Sequence, residues 1–153
     1  MRKLLLTLFT ILCLSLYVKA QDINEQLYLS IAKNDKEKTS QLLKDGANAN
    51  YVKSSGPWMK VNMLITAVNN SNIDIVKALI SNKANVNWKD GFQTTALMYA
   101  AAKGNKEMVI LLLDNGADIN ANDGKDNTVF SAAQESKNTE LIKYLDDRKK
   151  VEK

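Results

Sequence analysis

Histidine is absent from this 153-residue sequence, and cysteine and proline occur once each. Histidine is the usual general base near neutral pH and the commonest metal ligand. Its absence excludes Ser-His-Asp and Cys-His catalysis and most zinc sites. The one cysteine, Cys13, lies in an apolar N-terminal run, so the rest of the chain forms no disulfide. We therefore expect no metal site and no cofactor, and the catalysis still open is that of paired carboxylates.

The first 20 residues have the three parts of a secretory signal peptide. Arg2 and Lys3 precede an apolar run over residues 4–18, and small residues at positions 18 and 20 precede a cut before Gln21. A membrane-spanning helix needs about 20 apolar residues, so the short run favours cleavage over an uncleaved anchor. We predict an exported protein, periplasmic or secreted, whose mature domain is residues 21–153, with no stable membrane insertion after cleavage.

Charge argues against nucleic acid as the partner. Cleavage would remove Arg2, Lys3 and Lys19, which leaves 18 of the 21 basic residues against 17 acidic ones. The net charge would fall from +4 to about +1. Nucleic-acid binding needs a basic stripe with interleaved aromatic side chains. A mature chain that is nearly neutral and exported from the cytoplasm does not fit nucleic-acid binding.

One sequence motif occurs three times in the chain. The segments LLKDGANAN, LISNKANVN and LLLDNGADIN end at the closing asparagines Asn50, Asn87 and Asn120, which follow one another at nearly constant spacing. A period of about 33 residues is typical of a stack of supersecondary units. Alignment on these asparagines gives four units, at residues 25–50, 62–87, 95–120 and 128–147, with a four-residue insertion within residues 51–59.

Each unit carries two short apolar patterns with helical spacing. In the third unit they are Leu97, Ala100 and Ala101, then Met108, Val109, Leu112 and Leu113. Gly104 separates the two helices and Gly116 follows the second, at places where a chain leaving a helix often needs a positive φ. The residues at the place of Gly104 in the other units are Asn34, Ser71 and Lys137. Lys83 replaces the second glycine in the second unit.

These units resemble the ankyrin repeat, because the spacing of Thr95, Leu97 and the alanines, the two glycines and the closing asparagine recur together. The resemblance covers residues 24–147. It implies an all-α solenoid of four helix-turn-helix units with β-turn fingers, serving as a protein-binding scaffold. The family's Thr-Pro-Leu-His start lacks its proline and histidine in the units at residues 62, 95 and 128. That departure bears on the stability of the array rather than on its identity.

The expected concave side carries the finger tips and the last residues of each first helix. The partner-binding residues predicted there are Trp58, Met59, Phe92, Thr94, Lys125, Asn69, Asn70 and Lys103. Exposed aromatic and Met side chains are typical of interface hot spots. The alternative for Trp58 is local packing against the insertion, whose Gly56-Pro57 turn lengthens one finger. We interpret Tyr51 and Trp88 as structural, and the run NDGKDN (residues 122–127) as turn chemistry rather than a calcium loop.

The leading hypothesis is therefore a non-enzymatic, monomeric module that binds another protein. A small hydrolase is the first alternative, and it would need two carboxylates about 5–10 Å apart. A structural protein at the envelope surface is the second alternative. It would use the basic tail at Arg148, Lys149 and Lys150, although such a short run of mixed charge is usually a solvated helix end.

Overall fold

The computed structural model describes residues 22–56 and 58–151. The predicted signal peptide and Pro57 of the predicted turn lie outside the described residues. Over the described ranges the chain forms eight helices in four pairs and one β-hairpin. The pairs are α1 (22–32) with α2 (Lys36–Lys44), α3 (Met63–Asn69) with α4 (Ile73–Ser81), α5 (Ala96–Ala102) with α6 (Lys106–Asp114), and α7 (Val129–Glu135) with α8 (Thr139–Val151). The hairpin is β1 (Val52–Ser54) and β2 (Lys60–Asn62).

This arrangement confirms the predicted solenoid of helix pairs. The helix α8 continues to Val151, beyond the end predicted for the fourth unit. Within the described ranges, no helix combines the length and the apolar character needed to cross a membrane.

Polar side chains fix the starts of the helices. A side-chain oxygen of each N-cap residue accepts the backbone amide three residues on, which satisfies one of the unpaired donors of the first turn. The N-cap residues are Asp35, Asn62, Asn72, Thr95, Asn105 and Thr128. Each such cap contributes about 1 kcal/mol. In α3, α5 and α7 these caps define the helix start at the place where the family's proline is missing.

The residues predicted to need a positive φ have one. Asn34, Ser71, Lys83 and Lys137 have φ between 56° and 64°, and Gly104 and Gly116 have φ of 66° and 86°. This conformation costs an ordinary L-residue about 1–2 kcal/mol. Gln93 also has a positive φ, 64°, which the sequence did not indicate.

The core lies between two rows of helices. In the inner row α3 packs against α5 and α5 against α7, and these three helices also pack against α4, α6 and α8 respectively. Small side chains allow the inner helices to approach closely, among them the buried Ala100, Ala101 and Ala133. The outer helices fill the space behind them with large side chains such as Met108 and Leu112, which are fully buried. Each pair therefore needs its neighbour to bury its apolar face.

Two of the closing asparagines join one unit to the next. Each donates its side-chain amide to a backbone carbonyl of the following unit and accepts a backbone amide from it. The bonds are Asn50 Nδ2 to Lys83 O at 2.9 Å, Asn85 N to Asn50 Oδ1 at 2.7 Å, Asn87 Nδ2 to Gly116 O at 2.9 Å and Asp118 N to Asn87 Oδ1 at 2.9 Å. The third closing asparagine, Asn120, makes no side-chain hydrogen bond with any described residue.

Candidate protein-binding groove

Three fingers project from the junctions between helix pairs. The first finger (51–62) contains the hairpin, in which Val52 pairs with Asn62 and Ser54 with Lys60. The second finger (88–94) and the third finger (121–127) are each closed by one antiparallel bridge, Lys89 to Thr95 and Asn122 to Thr128. The insertion therefore lengthens the first finger, as predicted, and carries Trp58 and Met59 in the connection between its strands.

Three large apolar side chains of the first two fingers are exposed. Trp58 is 70% exposed, Met59 63% and Phe92 67%. Local packing of Trp58 against the insertion, the alternative from the sequence, is therefore not observed. Their exposure agrees with the prediction, and their role in binding stays a prediction.

These three residues line one groove of about 260 Å³, which we call the finger groove. Its lining residues are Tyr28, Lys53, Ser55, Trp58, Met59, Lys60, Val61, Ile65, Asn69, Asp90, Phe92 and Tyr99. The fold thus places four of the predicted residues, Trp58, Met59, Phe92 and Asn69, around a single concavity.

The other predicted residues lie elsewhere. Thr94 lines an adjacent groove of about 310 Å³. Asn70, Lys103 and Lys125 line neither groove. The amide of Asn70 donates to the carbonyl of Ile31 at 2.7 Å, so this side chain joins two units. Lys103 is the exposed C-cap residue of α5, and Lys125 is exposed on the third finger.

Asp90 anchors the second finger to the wall of the finger groove. Its Oδ1 accepts the backbone amides of Phe92 at 2.8 Å and Thr94 at 2.9 Å, and its Oδ2 accepts the Tyr99 hydroxyl at 2.7 Å. Asp90 is buried, with 6% of the residue exposed. Burial, together with the hydrogen bond to Asp90, raises the pKa of Tyr99 to about 12. The backbone that carries Phe92 is thereby tied to α5.

The third finger shows the same turn without this anchor. Asp123, which the repeat alignment places with Asp90, accepts the backbone amides of Lys125 and Asn127 at 2.9 and 3.3 Å. Its other oxygen accepts the Asn127 side-chain amide at 2.6 Å, and these bonds lower the pKa of Asp123. The residue that aligns with Tyr99 is Ala132, which has no donor. These bonds are those of a turn, which is how the sequence of residues 122–127 was interpreted.

The first finger lies directly over the second. A methyl group at residue 91 would overlap the backbone carbonyl of Trp58, so Gly91 is required by the close approach of the two fingers. The aromatic side chains predicted to be structural support the same fingers. Tyr51 and Trp88 are half-buried and pack against the core, and the Tyr51 hydroxyl donates to Glu25 at 3.3 Å. Burial and the Glu25 charge raise the pKa of Tyr51.

The charged groups at the finger groove differ in their pairing. Lys53 forms an ion pair with Glu25, and its ammonium lies 5.7 Å from the centroid of the Tyr28 ring. The hydrogen bond with Glu25 raises the pKa of Lys53. Lys60 is exposed, and its ammonium has no hydrogen bond or ion pair with any described residue. Asp90 is the one carboxylate among the described lining residues, so the pair that a hydrolase would need is not found among them.

The basic tail is part of α8 and has intramolecular partners. Arg148 donates to Asp114 at 3.0 Å and to the Tyr144 hydroxyl at 3.1 Å. The ammonium of Lys149 lies 4.6 Å from the centroid of the Phe130 ring, and Lys150 pairs with Asp147 at 3.2 Å. These contacts fit the expected solvated helix end, and Lys149 and Lys150 remain exposed.

Sequence reasoning missed several lining residues, notably Tyr28, Lys53, Asp90 and Tyr99. The alignment of Asp90 with Asp123 was a usable signal for a shared role in the finger turn. The bond from Tyr99 to Asp90 had no such signal, because it depends on how the finger folds back onto α5.

Comparison with known proteins supports one family. A family model described as ankyrin repeats, in three copies, matches residues 27–123. Comparison with curated proteins gives no match. The matched residues include most of the first helix pair, the whole of the next two, and the finger groove. Together with the four helix pairs and their fingers, this match shows that the chain belongs to the ankyrin repeat family, whose members are generally protein-binding modules.

Proposed function

We propose that this protein is a non-enzymatic module that acts outside the cytoplasm as a monomer and binds a partner protein through the finger groove. Ankyrin repeats are general protein-binding modules, which supports the class of function. The apolar run and cleavage pattern of residues 1–20 support the location.

The observation that carries the proposal is the exposure of Trp58, Met59 and Phe92 around one groove. An aromatic side chain buries about 150–250 Å² when a partner covers it. Binding hot spots are a few such side chains clustered near the centre of an interface. The fold tightly positions the backbones of two of them, since the Trp58 carbonyl lies on Gly91 and the Phe92 amide is bonded to Asp90. Little conformational freedom of these backbones would be lost on binding, which favours affinity.

Affinity capture from the native cell envelope after crosslinking tests this proposal. The wild-type chain is compared with the triple variant Trp58→Ala, Met59→Ala, Phe92→Ala, and we expect the affinity for the captured partner to fall about 100-fold or more. Leu29→Ala is the matched control, because Leu29 is 45% exposed and does not line the groove. Equal affinity of the triple variant would refute the proposed binding face.

The location needs its own measurement. The N-terminus of the protein recovered from the periplasm or the medium should be Gln21. An intact N-terminus on protein that stays with the cytoplasmic fraction would contradict the proposed export.

A further inference from the structure

The lining of the finger groove includes polar side chains that form no hydrogen bond with any described residue. The ammonium of Lys60 has no partner among the described residues. Tyr28 and Asn69 also line the groove, and their side chains make no hydrogen bond with any part of the chain that the structure describes. A ligand that enters the groove therefore meets exposed apolar residues and an exposed cation that has no partner among the described residues.

The one carboxylate among the described lining residues, Asp90, is buried and already hydrogen-bonded within the protein. The Asp90 carboxylate accepts three hydrogen bonds and is 6% exposed. The charge of Lys53 is balanced by Glu25. Of the charged side chains described in the lining, Lys60 is therefore the one that is exposed and unbalanced. The complementary group on a partner is an anion.

We propose that the finger groove takes a segment of the partner protein in which an apolar side chain lies beside an aspartate or glutamate. The apolar side chain packs among Trp58, Met59 and Phe92, and the carboxylate pairs with Lys60. This inference rests on the proposed function and specifies its partner. An ion pair near the surface changes affinity by less than about tenfold. The apolar contacts therefore supply most of the affinity, and Lys60 supplies the preference for an acidic neighbour.

Selection of short random peptides displayed on phage, with the full chain immobilised, tests the inference. We expect the enriched peptides to carry an aromatic or large aliphatic residue next to Asp or Glu. Synthetic copies should bind Lys60→Glu about 3–10-fold more weakly than the wild type, and Lys60→Gln to an intermediate extent. Lys38→Glu is the matched control, because Lys38 is exposed on α2 outside the groove and the variant carries the same change of net charge. Its affinity should equal that of the wild type.

The outcomes separate this inference from the proposed function. Enriched peptides without acidic residues that still lose binding in Trp58→Ala, Phe92→Ala would overturn the inference and leave the groove as the binding face. Acidic peptides whose affinity falls equally in Lys60→Glu and Lys38→Glu would also overturn it. Peptides that bind the Trp58→Ala, Met59→Ala, Phe92→Ala variant as well as the wild type would contradict both proposals. Failure to enrich any peptide would overturn the inference alone, since capture from the envelope tests the proposed function separately.

Discussion

Asn87→Ala measures how much of the stability of the stack comes from hydrogen bonds between units. Asn87 Nδ2 donates to Gly116 O at 2.9 Å, and Asn87 Oδ1 accepts from Asp118 N at 2.9 Å. An intramolecular hydrogen bond contributes about 0.5–1.5 kcal/mol net, so two bonds set an upper bound of about 3 kcal/mol. Because both bonds are exposed, water replaces part of each. We therefore expect the free energy of unfolding to fall by about 1–2 kcal/mol.

Urea unfolding followed by circular dichroism is the assay. With a urea dependence of about 2 kcal/mol per M, the midpoint should fall by about 0.5–1 M without a change of slope. Asn50→Ala should behave alike, because Asn50 makes the equivalent bonds to Lys83 and Asn85. The double variant should show nearly the sum of the two losses, since the two side chains bond at different junctions and to different residues.

Asn120→Ala is the matched control that the chain itself provides. It is the same residue at the same place in the repeat, and its side chain makes no hydrogen bond with the described residues. Its cost should stay within about 0.5 kcal/mol, as for ordinary surface substitutions. Equal losses for Asn120→Ala and Asn87→Ala, or no loss for Asn87→Ala, would refute the reasoning that these bonds stabilise the junctions.

Three further substitutions test other parts of the structure. Lys83→Gly should raise the free energy of unfolding by about 0.5–1 kcal/mol, since Lys83 has a φ of 64°; urea unfolding with an unchanged or lower midpoint would show that this conformation is not strained. Gly91→Ala should displace the first finger from the second and speed amide exchange in β1 and β2 but not in α6; unchanged exchange would contradict the close approach. An ultraviolet titration of phenolate in the wild type and in Tyr99→Phe should assign a pKa of about 12 to Tyr99. The folded pKa of Tyr99 exceeds the unfolded value of about 10, so its contribution to the free energy of unfolding is complete below pH 10 and is lost towards pH 12. Titration of Tyr99 near pH 10 would contradict its bond to Asp90.

The sequence was enough to predict the repeat and its helix pairs, because a regular period and two apolar faces per unit recur along the chain. It also identified the positions with positive φ, since Asn34, Ser71, Lys83 and Lys137 align with glycines. Gln93 escaped this reasoning because none of the repeats carries a glycine at its place.

The groove was only partly predictable. Exposure of Trp58, Met59 and Phe92 follows from their places on the fingers. Their position beside Tyr28 and Asn69 depends on how the fingers lie against the inner helices. No local sequence pattern predicts that arrangement.

The closing asparagines show the same limit. Asn87 and Asn120 are equivalent in sequence and differ in what the next unit offers. The side-chain amide of a closing asparagine bonds to the following unit only where the loop after that unit's second helix supplies a backbone carbonyl. Lys83 and Gly116 supply it for Asn50 and Asn87.

The contact of the Trp58 carbonyl with Gly91 limits how freely the repeats can be exchanged. Repeat arrays invite the transplantation of single units, because each unit touches only its neighbours. Here the backbone of Trp58 in the first finger occupies the volume that a residue larger than glycine would need at position 91 of the second finger. Grafting experiments on this scaffold should therefore move residues 51–94 as one cassette, and shuffled libraries should keep a glycine at position 91.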